Sequence, residues 1–191
     1  MKTENLERYL DSFGRGVVSR AKSNLSSAGK GGGNLEKSLS YEVMPDYSVR
    51  FYMANYGTFV DKGVKGAGGE IKSGKNKGTW SGRRYYTTWE GKRKDSPFKY
   101  GSGKGKKNGI YKGIGSFIKK KGLQPRSAGG QYMSPMGLKM AIVKTIWVKG
   151  IHGISFFQKA LGVGMEDYAE QVLDSVAKDI TESINIENKQ K

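Results

Sequence analysis

The feature that most limits how this chain can fold is a basic, glycine-rich stretch in its middle. From Val64 to about Gly109 the sequence loses apolar periodicity, and Gly, Lys and Ser dominate it. Such a long irregular stretch is unusual inside a compact domain, because most connections between helices and strands are short. We therefore expect one domain spanning residues 1–191, with residues 61–121 forming a basic arm or insertion within it.

The positive charge of the chain is concentrated in the same region. The formal net charge is +17, and eighteen Lys and Arg residues lie between Asp61 and Lys121 against four acids, which gives +14. The other 130 residues carry only +3. Because solvated loops usually mix both signs, this concentration predicts a polyanionic neighbour: nucleic acid, an acidic protein surface or a membrane face.

The residues before the arm carry clear periodic patterns. An apolar stripe from Leu6 to Leu25 predicts an N-terminal helix with Thr3 as its cap. The segments LSYEVM and SVRFYM, separated by PDY, predict an antiparallel strand pair with one face on the core. The segment NYGTFVDKG predicts a short helical turn that ends at Gly63.

The residues after the arm return to helical spacing. NGIYKGIGSFIKKKGL, SPMGLKMAIVKTIWVKG, ISFFQKAL and the segment from Met165 each predict a helix. The second begins with Ser134 as cap and Pro135 at the first helical position, and it closes at Gly150. The predicted fold class is therefore α+β: an N-terminal helix, a small antiparallel sheet and C-terminal helices, with the long basic Gly/Lys-rich insertion.

The sequence offers no set of residues suited to catalysis. It contains no cysteine and a single histidine, His152, in KGIHGIS, where a turn or packing role is expected. GSGKGKKNG resembles a phosphate-binding loop but lacks its Lys-Ser/Thr ending. We expect no enzyme activity, cofactor or metal. No apolar run reaches the length of a membrane span, so we also expect no membrane contact.

Basic residues interleaved with aromatics give the arm its binding potential. RRYYTTWEGKRK has strand-like residues that suit a hairpin, and it combines phosphate-neutralising charge with rings that could stack on bases or pack against a neighbouring protein. Without a helix-turn-helix, RNA-recognition or zinc-finger signature, contact with a nucleic-acid backbone is favoured over sequence reading. The predicted arm contacts are Arg83, Arg84, Lys92, Arg93, Lys94, Lys104, Lys106 and Lys107.

Three features in order resemble one known family. SVRFYMANYGTFVDKG is similar to a strand followed by a Y-A-x-x-V-E-x-G turn, with Asp61 as the acid. LKMAIVKTIWVKGIHGISFFQKAL resembles a helix ending in I-x-x-K-G-I, then an aromatic pair that opens another helix. With an amphipathic helix at each end, this order resembles the small head–tail joining (neck, tail-completion) proteins of tailed bacteriophages. The basic stretch departs from the shorter loop of that family.

The resemblance implies a structural virion protein in the neck or tail region, assembled in the host cytoplasm. Copies would form a ring of six or twelve between the portal or adaptor protein and a tail protein, with possible non-specific DNA contact. The expected subunit contacts are Tyr56, Phe59, Asp61, Phe156 and Phe157. Core packing is the alternative role for the two phenylalanines of FF, and a structural salt bridge or turn is the alternative role for Asp61.

Two other classes of protein remain open at this point. A sequence-nonspecific nucleic-acid-binding accessory protein would bind alone, with a steep dependence on salt. A hydrolase or nuclease would need a metal-binding cluster of acids, which the sequence does not display.

Overall fold

The computed structural model describes residues 3–68, 82–100, 108–124, 126, 130 and 134–189. Within these residues the fold is α+β, as predicted, with seven helices and three two-stranded sheets. Contacts divide the chain into two compact units, and most of the predicted insertion falls in the second. The first unit comprises Met1–Asp61, Thr87–Lys94 and Ile154–Lys191, and the second comprises Lys62–Tyr86 and Asp95–Gly153.

The first unit is built on the predicted N-terminal helix, α1 (Glu4–Ser27). Its apolar stripe is buried, with Leu10, Val17, Ala21 and Leu25 at most 1% exposed. Because these residues recur every three or four positions, they lie on one face and reach the core together. The helix stops before Gly29, which has a positive φ of 67°.

The predicted strand pair follows α1 and a short helix, α2 (Asn34–Ser38), that the sequence did not suggest. Strand β1 (Ser40–Val43) pairs antiparallel with β2 (Val49–Tyr52), and Tyr41 lies opposite Phe51. Alternate residues of β2 are half-buried and exposed, which confirms the predicted one-sided burial. The Tyr41 ring packs directly on Gly14 of α1, where any Cβ would collide with it.

Three further helices complete the first unit: α3 (Gly57–Lys62), α6 (Phe156–Met165) and α7 (Tyr168–Lys189). Helix α3 confirms the predicted helical turn, and Gly63 follows it with a φ of 72°. The core joins α1, α2 and α6 through side chains of low exposure: Val17, Val18, Ala21, Leu25, Leu35, Leu39, Phe156 and Ala160.

Helix α1 begins with a cap that comes from the other end of the chain. Thr3 occupies the predicted cap position, but its side chain makes no capping hydrogen bond and donates instead to the Glu7 carboxylate. The buried carboxylate of Asp179 accepts from the backbone N–H groups of Asn5 and Leu6. Thr3 as the capping side chain was therefore wrong, because the free N–H groups of α1 are satisfied by α7.

The second unit contains a helical hairpin and a small strand pair. Helices α4 (Asn108–Lys121) and α5 (Pro135–Lys149) form the hairpin. Ser134 caps α5 as predicted, because its hydroxyl oxygen accepts from the Gly137 N–H at 3.1 Å. Strand β3 (Val64–Lys65) pairs antiparallel with β6 (Gly150–Ile151), a pairing that the sequence did not indicate.

The pairing of β3 with β6 requires backbone segments to approach closely. The N–H of Gly66 donates to the carbonyl of Gly82 at 2.8 Å, and a Cβ on Gly66 would collide with the carbonyl of Val148. Part of the stretch expected to be irregular is thus ordered by glycines that leave room for neighbouring backbone. The remaining pair, β4 (Tyr85–Thr87) with β5 (Arg93–Asp95), confirms the predicted hairpin.

Candidate functional site

Five of the eight predicted arm residues lie in or beside strands β4 and β5: Arg83 and Arg84 in the second unit, and Lys92, Arg93 and Lys94 in the first. On the side of the first unit, the Thr87 N–H donates to the hydroxyl oxygen of Ser155 at 2.8 Å, and the Trp89 N–H donates to Gln158. On the side of the second unit, the buried hydroxyl of Ser96 donates to the Gly63 carbonyl at 2.8 Å. The basic residues are therefore held on anchored backbone.

Arg84 has an incompletely satisfied guanidinium group. Its Nη1 donates to the carbonyl of Arg83 at 2.7 Å, whereas its buried Nε has no hydrogen-bond partner among the described residues. Burial lowers the pKa of Arg84 from its ordinary value. A buried cationic donor without an acceptor is costly, so this arginine is held at some expense in stability.

His152 belongs to the same part of the second unit. Its pKa is lowered from 6.5, first by partial burial and then by the positive charge of Arg84. Sixty-eight residues separate the two in the sequence, so no local pattern could have paired them. Both causes favour the neutral form of this histidine.

The two tyrosines next to the arginines are engaged by cations. The guanidinium of Arg83 lies 5.2 Å from the ring centre of Tyr85, and the ammonium of Lys62 lies 5.7 Å from that of Tyr86. Both rings are half-buried. Each cation covers one ring face, so stacking of bases on these faces is less favourable than contact with a phosphate backbone.

The remaining hairpin cations lie in the first unit. Lys92, Arg93 and Lys94 are exposed, and Lys92 forms an ion pair with Glu90 at 2.9 Å. In the second unit, Arg83 forms a longer pair with Asp95 at 3.4 Å. Exposed pairs of this kind contribute little stability, so an incoming polyanion can exchange them at low cost. Lys104, Lys106 and Lys107 lie outside the described residues.

The structure places three of the five predicted subunit contacts inside the first unit. Phe156 is 0% exposed in the core, so its role is the alternative of core packing and the predicted surface contact was wrong. Phe157 is half-buried, and its ring packs edge-on against Phe51 at a centroid distance of 5.4 Å. Neither ring is a free anchor on the surface, because the helices and the sheet of this unit converge on the FF pair.

Asp61 is the third predicted contact that lies inside. It is 2% exposed, and its carboxylate accepts from the backbone N–H of Phe157 at 2.9 Å and more weakly from that of Gln158. It therefore caps α6, whose cap residue Ser155 has a left-handed backbone conformation and makes no capping bond with its own side chain. This structural role was the alternative weighed for Asp61.

The other two predicted contacts, Tyr56 and Phe59, are open to solvent. Their exposed fractions are 46% and 44%, although both belong to an apolar turn. Exposed aromatic side chains are favoured anchors at protein interfaces. These two residues remain candidates for contact with a neighbouring subunit.

Two features associated with other functional classes are absent from the described residues. No group of three or more His, Cys, Asp or Glu side chains among them is arranged to hold a metal ion. None of the described helices is long and apolar enough to cross a membrane.

Comparison with protein-family models, curated proteins and solved structures returns no match for this chain. The chain's own fold, charge and contacts are therefore the grounds for assigning it a function.

Proposed function

We propose that this chain is a structural protein of a tailed bacteriophage virion, and that copies of it form a ring in the neck between the portal and the tail. The order of motifs that resembles the head–tail joining proteins supports the location. The concentration of positive charge between Asp61 and Lys121 is the observation that carries the mechanism. The proposal assigns no catalytic residues and no cofactor.

The balance of charge explains why the arm needs a polyanion. Four acids cannot neutralise eighteen cations, so the segment keeps an excess of fourteen positive charges. Nucleic acid binds such a surface strongly because each neutralised phosphate releases condensed counterions. DNA in the channel of a ring would supply phosphates at a regular spacing along the whole arm.

The local geometry favours binding that does not depend on sequence. Arg84 is a half-buried arginine, whose guanidinium is of the kind that pairs with phosphate oxygens, and the faces of Tyr85 and Tyr86 are partly covered by cations. Contacts of this type hold the backbone without reading bases, so DNA can slide past them. This suits a channel through which the genome moves in one direction and is then retained.

The test is mass spectrometry of purified, DNA-filled particles, with the chain quantified against the major capsid protein. We expect a constant low ratio that corresponds to one ring per particle. Absence of the chain from particles, together with its recovery on cellular nucleic acid, would instead establish the nucleic-acid-binding accessory protein.

A charge variant tests the role of the arm itself. We expect particles that carry serine in place of Arg83, Arg84, Lys92, Arg93 and Lys94 to assemble poorly or to lose DNA. The matched control removes five basic residues outside the arm: Arg20, Lys22, Lys30, Lys37 and Lys159. Equal DNA retention in the arm variant, the control and the unmodified particle would rule out the proposed mechanism.

The accessory-protein alternative makes a different prediction for the isolated chain. It requires tight binding to DNA or RNA whose logarithm falls with the logarithm of salt by about one unit per phosphate contacted. A neck protein should bind weakly by itself and acquire its DNA contacts on assembly, because a ring brings many arms together. Titration of the purified chain with duplex DNA at several salt concentrations separates the two.

A further inference from the structure

Helix α5 is a largely apolar helix that the described residues cover only in part. Nine of its fifteen residues are apolar, yet none is buried. Met136 and Met140, one helical turn apart, are 58% and 54% exposed. A helix that is apolar on most sides is normally covered by other parts of a protein. Helix α5 therefore has a surface that fits a partner.

The contacts between α4 and α5 show which side chains the hairpin uses internally. Lys139 lies over the Tyr111 ring, with its ammonium 3.6 Å from the ring centre, and Ile118 is 8% exposed. Phe117 of α4 remains 48% exposed. The Tyr111 hydroxyl also donates to the Met136 sulfur at 2.8 Å, although that side chain stays 58% exposed. The hairpin thus closes on itself through some of its residues and leaves large apolar side chains partly exposed. We refer to Phe117, Met136 and Met140 as the hairpin surface.

The charge around the hairpin surface has only one sign. Between Asp95 and Glu166 the sequence contains no acidic residue. Lys119, Lys120 and Lys121 close α4, and Lys144 follows Met140 by one helical turn on α5; all four are exposed. An occupant of the hairpin surface must therefore combine apolar contacts with negative charge.

Helix α7 presents a surface of that kind. Its inner side meets α1. There the Tyr168 ring packs on Phe13 with 4.8 Å between the ring centroids, and Asp179 of α7 caps the start of α1. Leu173, Ile180 and Ile184, spaced by seven and four residues, are 71%, 43% and 53% exposed. We refer to these three residues as the α7 stripe. An exposed apolar stripe at this spacing is typical of a helix that packs against another helix.

The segment that carries the α7 stripe is acidic, although Asp174 is paired with Lys178 at 2.7 Å. Between Glu166 and Glu187 the sequence has seven acidic residues and one lysine, Lys178. Of these acids, Glu170, Asp174 and Glu182 are exposed on α7. The hairpin surface and the α7 stripe therefore lie in segments of opposite charge.

We propose that the α7 stripe of one copy packs on the hairpin surface of the next copy. This inference rests on the proposed ring and names the surfaces that build it. Such a contact uses two different patches, so it is heterologous and generates a closed ring when the rotation between copies closes. It covers both apolar surfaces in one step, whereas nucleic acid would satisfy the lysines and leave the methionines in water.

Because the chain has no cysteine, the contact can be tested by site-directed cross-linking. One preparation carries Leu173→Cys, the other carries Met140→Cys, and the two are mixed with a short homobifunctional thiol reagent. We expect a cross-linked dimer that contains one copy of each variant, and little product from either variant alone. Mass spectrometry of the linked peptides identifies the two positions.

The matched control places the cysteine on an exposed position of α1, Ser19→Cys, in a mixture with Met140→Cys. This pair reports random collisions and should yield no more than background. Adding Met136→Glu to the Met140→Cys variant should abolish the specific product, since it introduces a carboxylate where acids of α7 approach. Both changes fall on exposed side chains, and circular dichroism verifies that the fold is retained.

Three outcomes would overturn the proposal. Product from Leu173→Cys alone would indicate that two α7 helices pair with each other. A chain with both cysteines that cross-links only within itself would indicate an intramolecular contact. Equal yields from the specific and control pairs would indicate no defined contact at all.

The two proposals fail in distinguishable ways. If the cross-link is absent but particles contain the chain at a constant ratio, the virion role stands and this interface is rejected. If the cross-link forms but particles lack the chain, the contact between copies is supported and the location in the phage neck is rejected.

Discussion

The carboxylate of Asp179 in α7 accepts a hydrogen bond from the backbone N–H of Leu6 in α1, with an oxygen–nitrogen distance of 3.1 Å. A second oxygen–nitrogen contact, to the N–H of Asn5 at 2.9 Å, completes the cap. The first turn of α1 is therefore finished only when the C-terminal helix has docked. A negative charge at this helix end is also favoured by the helix dipole.

Asp179 should make stability depend on acid pH. Burial alone would raise its pKa, but the hydrogen bonds from Asn5 and Leu6 and the charge of Arg8 hold the pKa below 3.8. A depressed pKa means that the ionised form stabilises the fold above pH 4, and that this contribution disappears as pH falls through the folded value. We expect Asp179→Asn to lower the free energy of unfolding at pH 7 and to flatten its decline below pH 4.

Urea unfolding at a series of pH values, followed by circular dichroism, measures this effect. The control is Asp174→Asn, which alters an exposed carboxylate on the same helix. If both variants follow the same pH profile, Asp179 does not act through its charge.

Asp61 should contribute to stability because its carboxylate caps the start of α6. Asp61→Ala leaves the N–H groups of Phe157 and Gln158 without their acceptor at the start of α6. We expect a loss of about 1–2 kcal/mol in the free energy of unfolding. Chemical denaturation measures it, with Glu166→Ala, an exposed acid just beyond α6, as the control. A loss below that of the control would contradict the capping role.

The aromatic residues of α3 and α6 should separate folding from assembly. We expect Phe156→Ala to cost about 3–5 kcal/mol, because it empties a fully buried site in the core. Phe59→Ala should cost clearly less than Phe156→Ala, since 44% of that side chain is exposed and less apolar surface is lost from the fold. Thermal and chemical unfolding of both variants tests this prediction. Similar losses of unfolding free energy in the two variants would contradict it.

Gly66 should tolerate no side chain. Gly66→Ala drives a methyl group into the carbonyl of Val148, so we expect a loss of roughly 1–3 kcal/mol and a lower melting temperature. Gly113→Ala is the matched control on exposed α4, where nothing lies within 4 Å and alanine favours the helix. The prediction fails if both variants melt at or above the temperature of the unmodified chain.

The single histidine reports on the charge of Arg84. We expect Arg84→Gln to raise the pKa of His152, because it removes a nearby positive charge while partial burial remains. An NMR titration of the one imidazole in the chain measures this without ambiguity. Arg83→Gln is the control, since that guanidinium is paired with Asp95. An unchanged pKa of His152 in the Arg84 variant would show that the charge of Arg84 does not act on the histidine.

Local sequence signals predicted most of the helices and the β1–β2 pair. The Ser134–Pro135 start and the Gly150 end of α5 depend on neighbours within a few residues, so the sequence displays them directly. The alternation around Phe51 indicated which side of β2 meets the core, because strand side chains point alternately to opposite faces. The β3–β6 pair gave no signal, since its two-residue strands lie 85 positions apart.

For the candidate site, composition alone located the charge but not its partners. The sequence by itself determined the α+β class, the ends of some helices such as α5 and the concentration of +14 in one segment, because these follow from local pattern and residue count. Only the tertiary structure decided that Phe156 is buried while Phe59 is exposed, and that Asp61 and Asp179 cap helices far along the chain. Burial and long-range hydrogen bonds depend on which distant segments contact each other in the folded chain. Short-range periodicity does not indicate those contacts, because it depends only on residues close together in the sequence.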